Sequence, residues 1–265
     1  MQTVPPVKNT LKENHFAFKA VNSFLKQFNL ISEFNLNNIS ISPLKGGKSN
    51  APLYKFDVGS SSYVIRFPSP TTNHLNKTLQ VFLAKQAGNL GIGPKIHFID
   101  PEQYAVVMEY IPGRIVSPLD FNDVALLINF SKLLRKTHHS RLEFPLALSP
   151  FSRFRDFLSK CDPQKIKQLS NFTEIKLLMG KIEEILQLHP VTLTPTHLDL
   201  NLSNIIILNE QFSLVDWVNG GISDPYFDLA TFVVFAGLNE IQTKKFLFNN
   251  FCFVIHSTLQ NLMID

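Results

Sequence analysis

The chain has 265 residues, of which 45% are hydrophobic and 17% charged, and its formal net charge is +4 at pH 7. This composition predicts a large buried core and excludes an intrinsically disordered chain. The positive charge comes from scattered lysines and not from a basic run with interleaved aromatic residues, so the sequence predicts no nucleic-acid partner.

The number of cysteines and the hydropathy of the chain indicate the cellular compartment. The two cysteines, Cys161 and Cys252, are too few for a disulfide framework or a zinc site, which fits a reducing cytoplasm. The first residues show no signal-peptide pattern, and the most apolar stretches, 229–238 and 246–255, are too short and too polar to span a bilayer. We therefore expect a cytoplasmic protein without a membrane partner, and the sequence leaves its oligomeric state open.

The first part of the chain predicts a small sheet and two helices. Apolar residues at helical spacing predict helices over 15–34 and 78–89. Short alternating runs separated by Gly and Pro predict strands over 39–44, 53–58, 62–67, 95–99 and 104–110.

Past Pro112-Gly113 the pattern becomes mainly helical. We predict helices over 124–138, 151–158 and 166–188 and from 227 to the end, with two short strands over 204–208 and 212–215. The fold class is therefore α+β, with a strand-rich N-terminal lobe over residues 1–111 and a helical lobe over 112–265.

The most informative motif is His197–Asn204, which reads H-x-D-x-x-x-x-N and has the spacing of a kinase catalytic loop. Phosphoryl transfer needs a carboxylate that takes the proton of the acceptor hydroxyl, and Asp199 is the candidate. Asn204 offers a hard oxygen ligand for Mg²⁺, and so does Asp216, which follows an apolar run where an unpaired carboxylate would be costly to bury. We expect His197 to brace this catalytic loop rather than to act as a base.

A glycine-rich turn between two predicted strands is the candidate phosphate lid. It lacks the Walker A pattern, so a plain hairpin turn is one interpretation. Beside the catalytic loop, a lid over nucleotide phosphates is favoured, with contacts from Gly47, Lys48, Ser49 and Asn50.

Two further segments predict nucleotide contacts. Arg66 ends a predicted strand, where it either faces solvent or pairs with a phosphate, and we favour the phosphate. Glu109 and Ile111 precede the Pro-Gly break, where main-chain groups either meet an adenine edge or form an ordinary linker. Further along, Asp224 and Asp228 have the spacing of turn and helix-cap residues, and we expect Asp228 to brace the catalytic loop.

These motifs, in this order, resemble the aminoglycoside phosphotransferase/choline kinase superfamily, which contains small-molecule kinases with a protein-kinase-like fold. The resemblance runs from about Ile39 to Phe251. It implies a small antiparallel-sheet lobe, a mainly helical lobe, and ATP-dependent phosphorylation of a hydroxyl group. It also implies Asp199 as the base, with Asn204 and Asp216 on magnesium.

Within the superfamily, the segments Tyr63–Phe67 and Gly91–Lys95 look most like those of bacterial choline kinases. Two positions depart from the pattern. Gln80 stands where the helix usually supplies a glutamate for the strand cation, so Arg66 must be held less firmly or find another partner. Val218 stands where choline kinases commonly carry a glutamate, two positions after the metal aspartate.

Several acceptors and one non-enzymatic role are compatible with this resemblance. A choline- or ethanolamine-type alcohol is the leading hypothesis, with Trp217 and Tyr226 in an aromatic cage and Asp224 as a further substrate contact. Aminoglycosides and thiamine are the alternative acceptors. A pseudokinase that only binds nucleotide is the alternative of another class.

Overall fold

The computed structural model describes residues 11–30, 39–44, 51–69, 74–144 and 147–250. The chain divides into two compact units. The first unit comprises Met1–Ile115 and Ser203–Val218, and the second comprises Val116–Leu202 and Asn219–Asp265. The sequence-based boundary after residue 111 stays a prediction.

The first unit contains a five-stranded antiparallel sheet with the order β1-β2-β3-β5-β4. Its strands are β1 (Ile41–Pro43), β2 (Leu53–Val58), β3 (Ser61–Arg66), β4 (Ile96–Ile99) and β5 (Val106–Glu109). All five were predicted within a few residues. In β2, Tyr54, Phe56 and Val58 are buried while Lys55 and Asp57 alternate with them, as expected for a sheet with one covered face.

Helix α1 (Leu11–Gln27) covers that face. Its Phe24 ring lies 5.8 Å from Phe56 and 5.1 Å from Tyr63, measured between centroids. The helix ends before the predicted residue 34 because Asn29 adopts a left-handed conformation (φ 56°). The amide of Leu30 then donates to the Leu25 carbonyl at 2.9 Å, which closes the last turn.

Two other elements of the first unit carry candidate site residues. Helix α2 (His74–Asn89) precedes β4, and a three-stranded sheet contains β6 (Arg114–Ile115), β8 (Ile205–Leu208) and β9 (Gln211–Leu214). The β8–β9 hairpin turns through Asn209 and Glu210, both with positive φ, as a two-residue hairpin of this kind requires. Gly113 lies so close to this sheet that a Cβ atom there would be 2.5 Å from the Ile207 carbonyl oxygen.

The second unit is mainly helical. Its helices are α3 (Val124–His138), α4 (Pro150–Ser159), α5 (Pro163–Lys167), α6 (Phe172–Leu188), α7 (Tyr226–Ala236) and α8 over 240–250, and its strands β7 (Thr194–Thr196) and β10 (Gly221–Ser223) form a two-stranded sheet. The helix predicted over 166–188 is divided in two because Asn171 takes a left-handed conformation (φ 61°). The helix predicted from 227 onward is interrupted at Gly237 for the same reason (φ 62°).

An aromatic cluster forms the core of the helical unit. Phe232 lies 4.8 Å from Phe121, 4.3 Å from Phe130 and 4.8 Å from Phe246, measured between ring centroids. Large rings that pack in tilted and edge-to-face pairs contribute favourably to such a core. The phenylalanines of this cluster therefore serve as core residues of the unit.

The predicted α+β class is confirmed by an antiparallel sheet in the first unit and a mostly helical second unit. Within the described ranges, no helix combines the length and the apolar character that a membrane crossing needs.

Candidate active site

The start of the predicted catalytic loop, which belongs to the second unit, is held by one buried carboxylate. Asp228, which is 0% exposed, accepts hydrogen bonds from the backbone amide of Leu198 (2.7 Å to Oδ1) and from that of His197 (2.8 Å to Oδ2). Leu198 has a φ of 58°, a left-handed conformation that side-chain-bearing residues other than Asn and Asp rarely adopt. The predicted bracing role of Asp228 is therefore confirmed, and it supports a strained backbone.

His138 completes this support. Its Nε2 atom lies 3.0 Å from Asp228 Oδ2. Asp228 belongs to the first turn of α7 and His138 to the last turn of α3, where the helix dipoles favour a negative and a positive group respectively. His197 itself is fully buried.

Asp199, the predicted base, has both carboxylate oxygens engaged by side-chain amides. Asn201 Nδ2 donates to Oδ1 at 2.7 Å, and Asn219 Nδ2 donates to Oδ2 at 3.2 Å. All three residues belong to the second unit. This arrangement fixes the direction of the carboxylate.

Arg153 adds a cation to this group. Its Nη1 donates to the Asn219 carbonyl oxygen at 3.2 Å, and its Nη2 donates to Asn219 Oδ1. Burial lowers the pKa of the Arg153 guanidinium, and the charge of Asp199 opposes this shift. Sequence reasoning missed Arg153 because a single arginine in an amphipathic helix carries no motif.

The first unit contains a cavity of about 300 Å³, the size of a small-molecule site. Most of its wall is apolar and comes from the five-stranded sheet, the segment after β5 and the β8–β9 hairpin. The structure brings together here six of the predicted site residues: Arg66, Glu109, Ile111, Asn204, Asp216 and Trp217.

Arg66 and Asp216 form an ion pair in this cavity. The Arg66 Nη2 to Asp216 Oδ1 distance is 2.8 Å, and the two side chains are 16% and 25% exposed. Gln80 lines the same cavity. Of the two alternatives for Arg66, looser placement or another partner, the structure therefore shows the second, and the partner is the predicted metal ligand Asp216.

Asn204 and Asp216 are placed by the hairpin backbone. The Val215 amide donates to the Asn204 carbonyl at 2.9 Å, and the Leu214 amide donates to the Ile92 carbonyl at 2.8 Å. Gly93 is needed beside them, because a Cβ atom there would lie 2.7 Å from the Leu214 carbonyl oxygen. Carboxylate and amide oxygens are ligands that Mg²⁺ prefers, so this pair suits that ion.

The segment after β5 is tied to β4. Glu109 donates its amide to the Lys95 carbonyl (2.9 Å) and accepts the Lys95 amide on its carboxylate (2.8 Å). The Tyr110 amide donates to the Ser62 carbonyl at 3.1 Å. Ile111 follows directly and lines the cavity.

The remaining predicted residues lie partly in the first unit, partly in the second and partly outside the described residues. Trp217 is 3% exposed and donates its indole N–H to the Leu214 carbonyl at 3.1 Å, within the first unit. In the second unit, Asp224 accepts the Tyr226 amide at 2.8 Å, and Tyr226 is 46% exposed. Their common role in an acceptor cage stays a prediction. The predicted phosphate-lid residues Gly47, Lys48, Ser49 and Asn50 lie outside the described residues.

Comparisons with known proteins identify the family of the chain. The model of the APH family, described as a phosphotransferase enzyme family, matches residues 40–244. The chain is 24% identical over 211 residues to protein LicA of Haemophilus influenzae, an alignment that covers 78% of this chain and only 61% of that protein. It is 30% identical over 185 residues to a LicA homolog of Metamycoplasma hominis, covering 66% of this chain and 70% of the homolog.

Solved structures show the same fold. Choline kinase LicA from Streptococcus pneumoniae has a TM-score of 0.68 and 20% sequence identity, over 87% of this chain and 80% of that one. A structure of LicA in complex with AMP has a TM-score of 0.65 and 22% identity, over 83% and 77% of the two chains. The resemblance predicted from the motifs is confirmed, and the chain belongs to the APH phosphotransferase enzyme family.

Proposed function

We propose that the protein is an ATP-dependent kinase that phosphorylates the hydroxyl group of a small alcohol of the choline or ethanolamine type. The observation that carries this proposal is the catalytic loop of the second unit. A buried Asp228 holds its backbone in a strained conformation, and two amides orient the Asp199 carboxylate. Structural residues rarely retain such strain without a functional reason.

Nucleotide binding is assigned to the cavity of the first unit. Its apolar walls suit an adenine ring, and main-chain groups of Glu109 and Ile111 would meet the edge of that ring. Arg66 would pair with a phosphate, since a guanidinium matches phosphate oxygens in charge and geometry. Gly47, Lys48, Ser49 and Asn50, which lie outside the described residues, stay the predicted phosphate contacts.

Magnesium would be held by Asn204 and Asp216. In the described part of the chain no group of three or more His, Cys, Asp or Glu residues is arranged to hold a metal, so phosphate and water oxygens would complete the coordination. This is the usual mode for Mg²⁺, which combines one or two protein ligands with substrate phosphates. When bound, the ion neutralises charge on the phosphate oxygens.

Asp199 acts on the acceptor. Its carboxylate accepts the proton of the acceptor hydroxyl as the hydroxyl oxygen forms a bond to the γ-phosphorus, and the bond from that phosphorus to the β–γ bridging oxygen breaks to release ADP. Asn201 and Asn219 keep the carboxylate in one orientation during this transfer. His197, which is fully buried, would brace the loop and would not act as the base.

The type of acceptor rests on the LicA relatives and on the available side chains. Within the second unit, an ammonium group would be attracted to the exposed ring of Tyr226, and Asp224 would supply negative charge. Val218 removes a glutamate that choline kinases commonly carry, so the acceptor pocket differs from theirs. Aminoglycosides and thiamine therefore belong in any test of acceptors.

The proposal is tested by incubating the protein with ATP, Mg²⁺ and a panel of choline, ethanolamine, thiamine and aminoglycosides, while ADP release is followed. We expect turnover of choline or ethanolamine and a loss of roughly 100-fold or more in kcat for Asp199→Asn. Asp156→Asn, an exposed change in α4, is the matched control. Equal turnover by Asp199→Asn and the wild type would refute the base assignment, and nucleotide binding without turnover of any acceptor would favour the pseudokinase.

A further inference from the structure

Asn219 connects the candidate base to a cation. Its side-chain Nδ2 donates to Asp199 Oδ2 at 3.2 Å, while its Oδ1 accepts from Arg153 Nη2. Its backbone carbonyl accepts from Arg153 Nη1 at 3.2 Å. Arg153 thus donates hydrogen bonds to both oxygen atoms of Asn219, and the side-chain nitrogen of Asn219 faces the candidate base Asp199.

These two hydrogen bonds from Arg153 determine the orientation of the Asn219 side-chain amide. An arginine guanidinium has only donors, so it can bond only to the oxygen end of the amide. The nitrogen end must then face Asp199, whose ionised carboxylate has only acceptors. Without Arg153 the amide is held only by its hydrogen bond to Asp199, so its orientation, and with it the direction of the carboxylate, is less tightly restrained.

The position of Arg153 is itself fixed by packing. It lies in the first turn of α4, whose start is capped by the Ser149 side chain accepting the Ser152 amide at 3.3 Å. The neighbouring Phe151 is buried and packs edge-to-face on Phe227 with 5.4 Å between ring centroids. The guanidinium is therefore presented to Asn219 by an anchored helix and not by a mobile surface segment.

We propose that Arg153 and Asn219 are positioning residues that orient the Asp199 carboxylate and set its electrostatic environment. This inference rests on the proposed kinase function. It assigns a role to a residue pair that no sequence motif marks, 66 positions apart. The two residues act through Asp199 and do not take part in the transfer of the proton.

The first test compares three variants with a matched control. Arg153→Met and Asn219→Ala should each lower kcat roughly 10- to 100-fold, with KM for ATP nearly unchanged. Arg153→Lys should retain part of the activity, because a lysine can donate to Oδ1 but cannot hold both oxygens in the same way. Arg155→Met, which removes an arginine two residues away that pairs with Glu183, should behave like the wild type.

The pH profile separates positioning from folding. Asn219→Asp places a second carboxylate beside Asp199, so the acidic limb of the kcat profile should move to higher pH, an effect that general destabilisation would not produce. In the Asp199→Asn background, Arg153→Met should cause no further loss of kcat. A wild-type kcat and pH profile for Arg153→Met and Asn219→Asp would overturn the inference while leaving the kinase proposal intact.

A measurement that needs no turnover tests the same inference. The side-chain amide of Asn219 gives a pair of signals in a ¹H–¹⁵N spectrum, which Asn219→Ala identifies by their loss. In Arg153→Met these signals should shift and broaden as the amide gains rotational freedom, whereas Arg155→Met should leave them in place. Unchanged Asn219 signals in Arg153→Met would overturn the positioning role whether or not an acceptor is turned over.

Discussion

Asp228→Asn tests how the catalytic loop is held. The Asp228 carboxylate, which is itself fully buried, accepts two backbone amides, from His197 and Leu198, and contacts His138. Asparagine has nearly the same shape but keeps only one acceptor oxygen. Its NH₂ group must therefore face one of the two backbone N–H groups, and that N–H loses its partner.

The expected cost follows from these contacts. A hydrogen bond to a charged group contributes about 1.5–3 kcal/mol, and a buried donor left without a partner costs about 1–3 kcal/mol. The left-handed conformation of Leu198 costs about 1–2 kcal/mol. In the variant, only one backbone hydrogen bond to residue 228 remains to offset this cost. We expect a net loss of about 2–4 kcal/mol in the free energy of unfolding.

Thermal unfolding followed by circular dichroism measures this loss. For a cooperative unit of 150–250 residues, 1 kcal/mol corresponds to about 2–4 °C, so Tm should fall by roughly 5–15 °C. The matched control is Asp162→Asn, whose carboxylate accepts one backbone amide at the exposed start of α5. Because asparagine is also a good N-cap, that variant should lose only a few tenths of a kcal/mol.

Activity gives a second readout of the same change. Since Asp199 lies directly after the anchored residues, kcat should fall in Asp228→Asn even at temperatures where the protein stays folded. The reasoning is refuted if Asp228→Asn unfolds at the same Tm as Asp162→Asn and keeps the wild-type kcat.

Two further substitutions test the first unit. Gln80→Glu places a second carboxylate beside Arg66, so Asp216 no longer has to pair with that arginine. The Arg66–Asp216 ion pair contributes about 1 kcal/mol. The affinity for ADP in the presence of Mg²⁺, measured by calorimetry, should therefore rise about fivefold. An unchanged dissociation constant would show that the ion pair does not compete with the metal. Gly113→Ala should lower Tm, because its Cβ would lie 2.5 Å from a backbone carbonyl oxygen of β8 and overpacking costs about 1–3 kcal/mol. Gly180→Ala should instead raise Tm slightly, because a Cβ atom there would meet no atom within 4 Å outside the backbone of its own helix. Equal Tm shifts for the two variants would contradict the packing argument.

Elements with a clear hydrophobic period were predictable from the sequence. Helix α3 was predicted over the residues that form it, because its apolar residues recur at helical spacing. The strands of the five-stranded sheet were found because their alternation matches a sheet with one covered face. The candidate catalytic loop could be proposed from the sequence because phosphoryl transfer dictates its residue types and their spacing.

Features set by tertiary contact were not predictable in the same way. The apolar periodicity over 166–188 continues through Asn171, and only the left-handed backbone there reveals two helices. The partner of Arg66 lies 150 positions away, and that of Arg153 lies 66 positions away. The sequence marked Gln80 as a departure but could not indicate which carboxylate would take the place of the missing glutamate.

The central claim is that Asp199 serves as the base in phosphoryl transfer from ATP to a small alcohol. ³¹P NMR of a reaction containing ATP, Mg²⁺ and choline or ethanolamine tests it most directly, because it detects the new phosphate ester itself. We expect the ester signal to grow with the wild type and with Asp156→Asn, and to be reduced roughly 100-fold in rate with Asp199→Asn. An ester that forms at the same rate in Asp199→Asn would contradict the account.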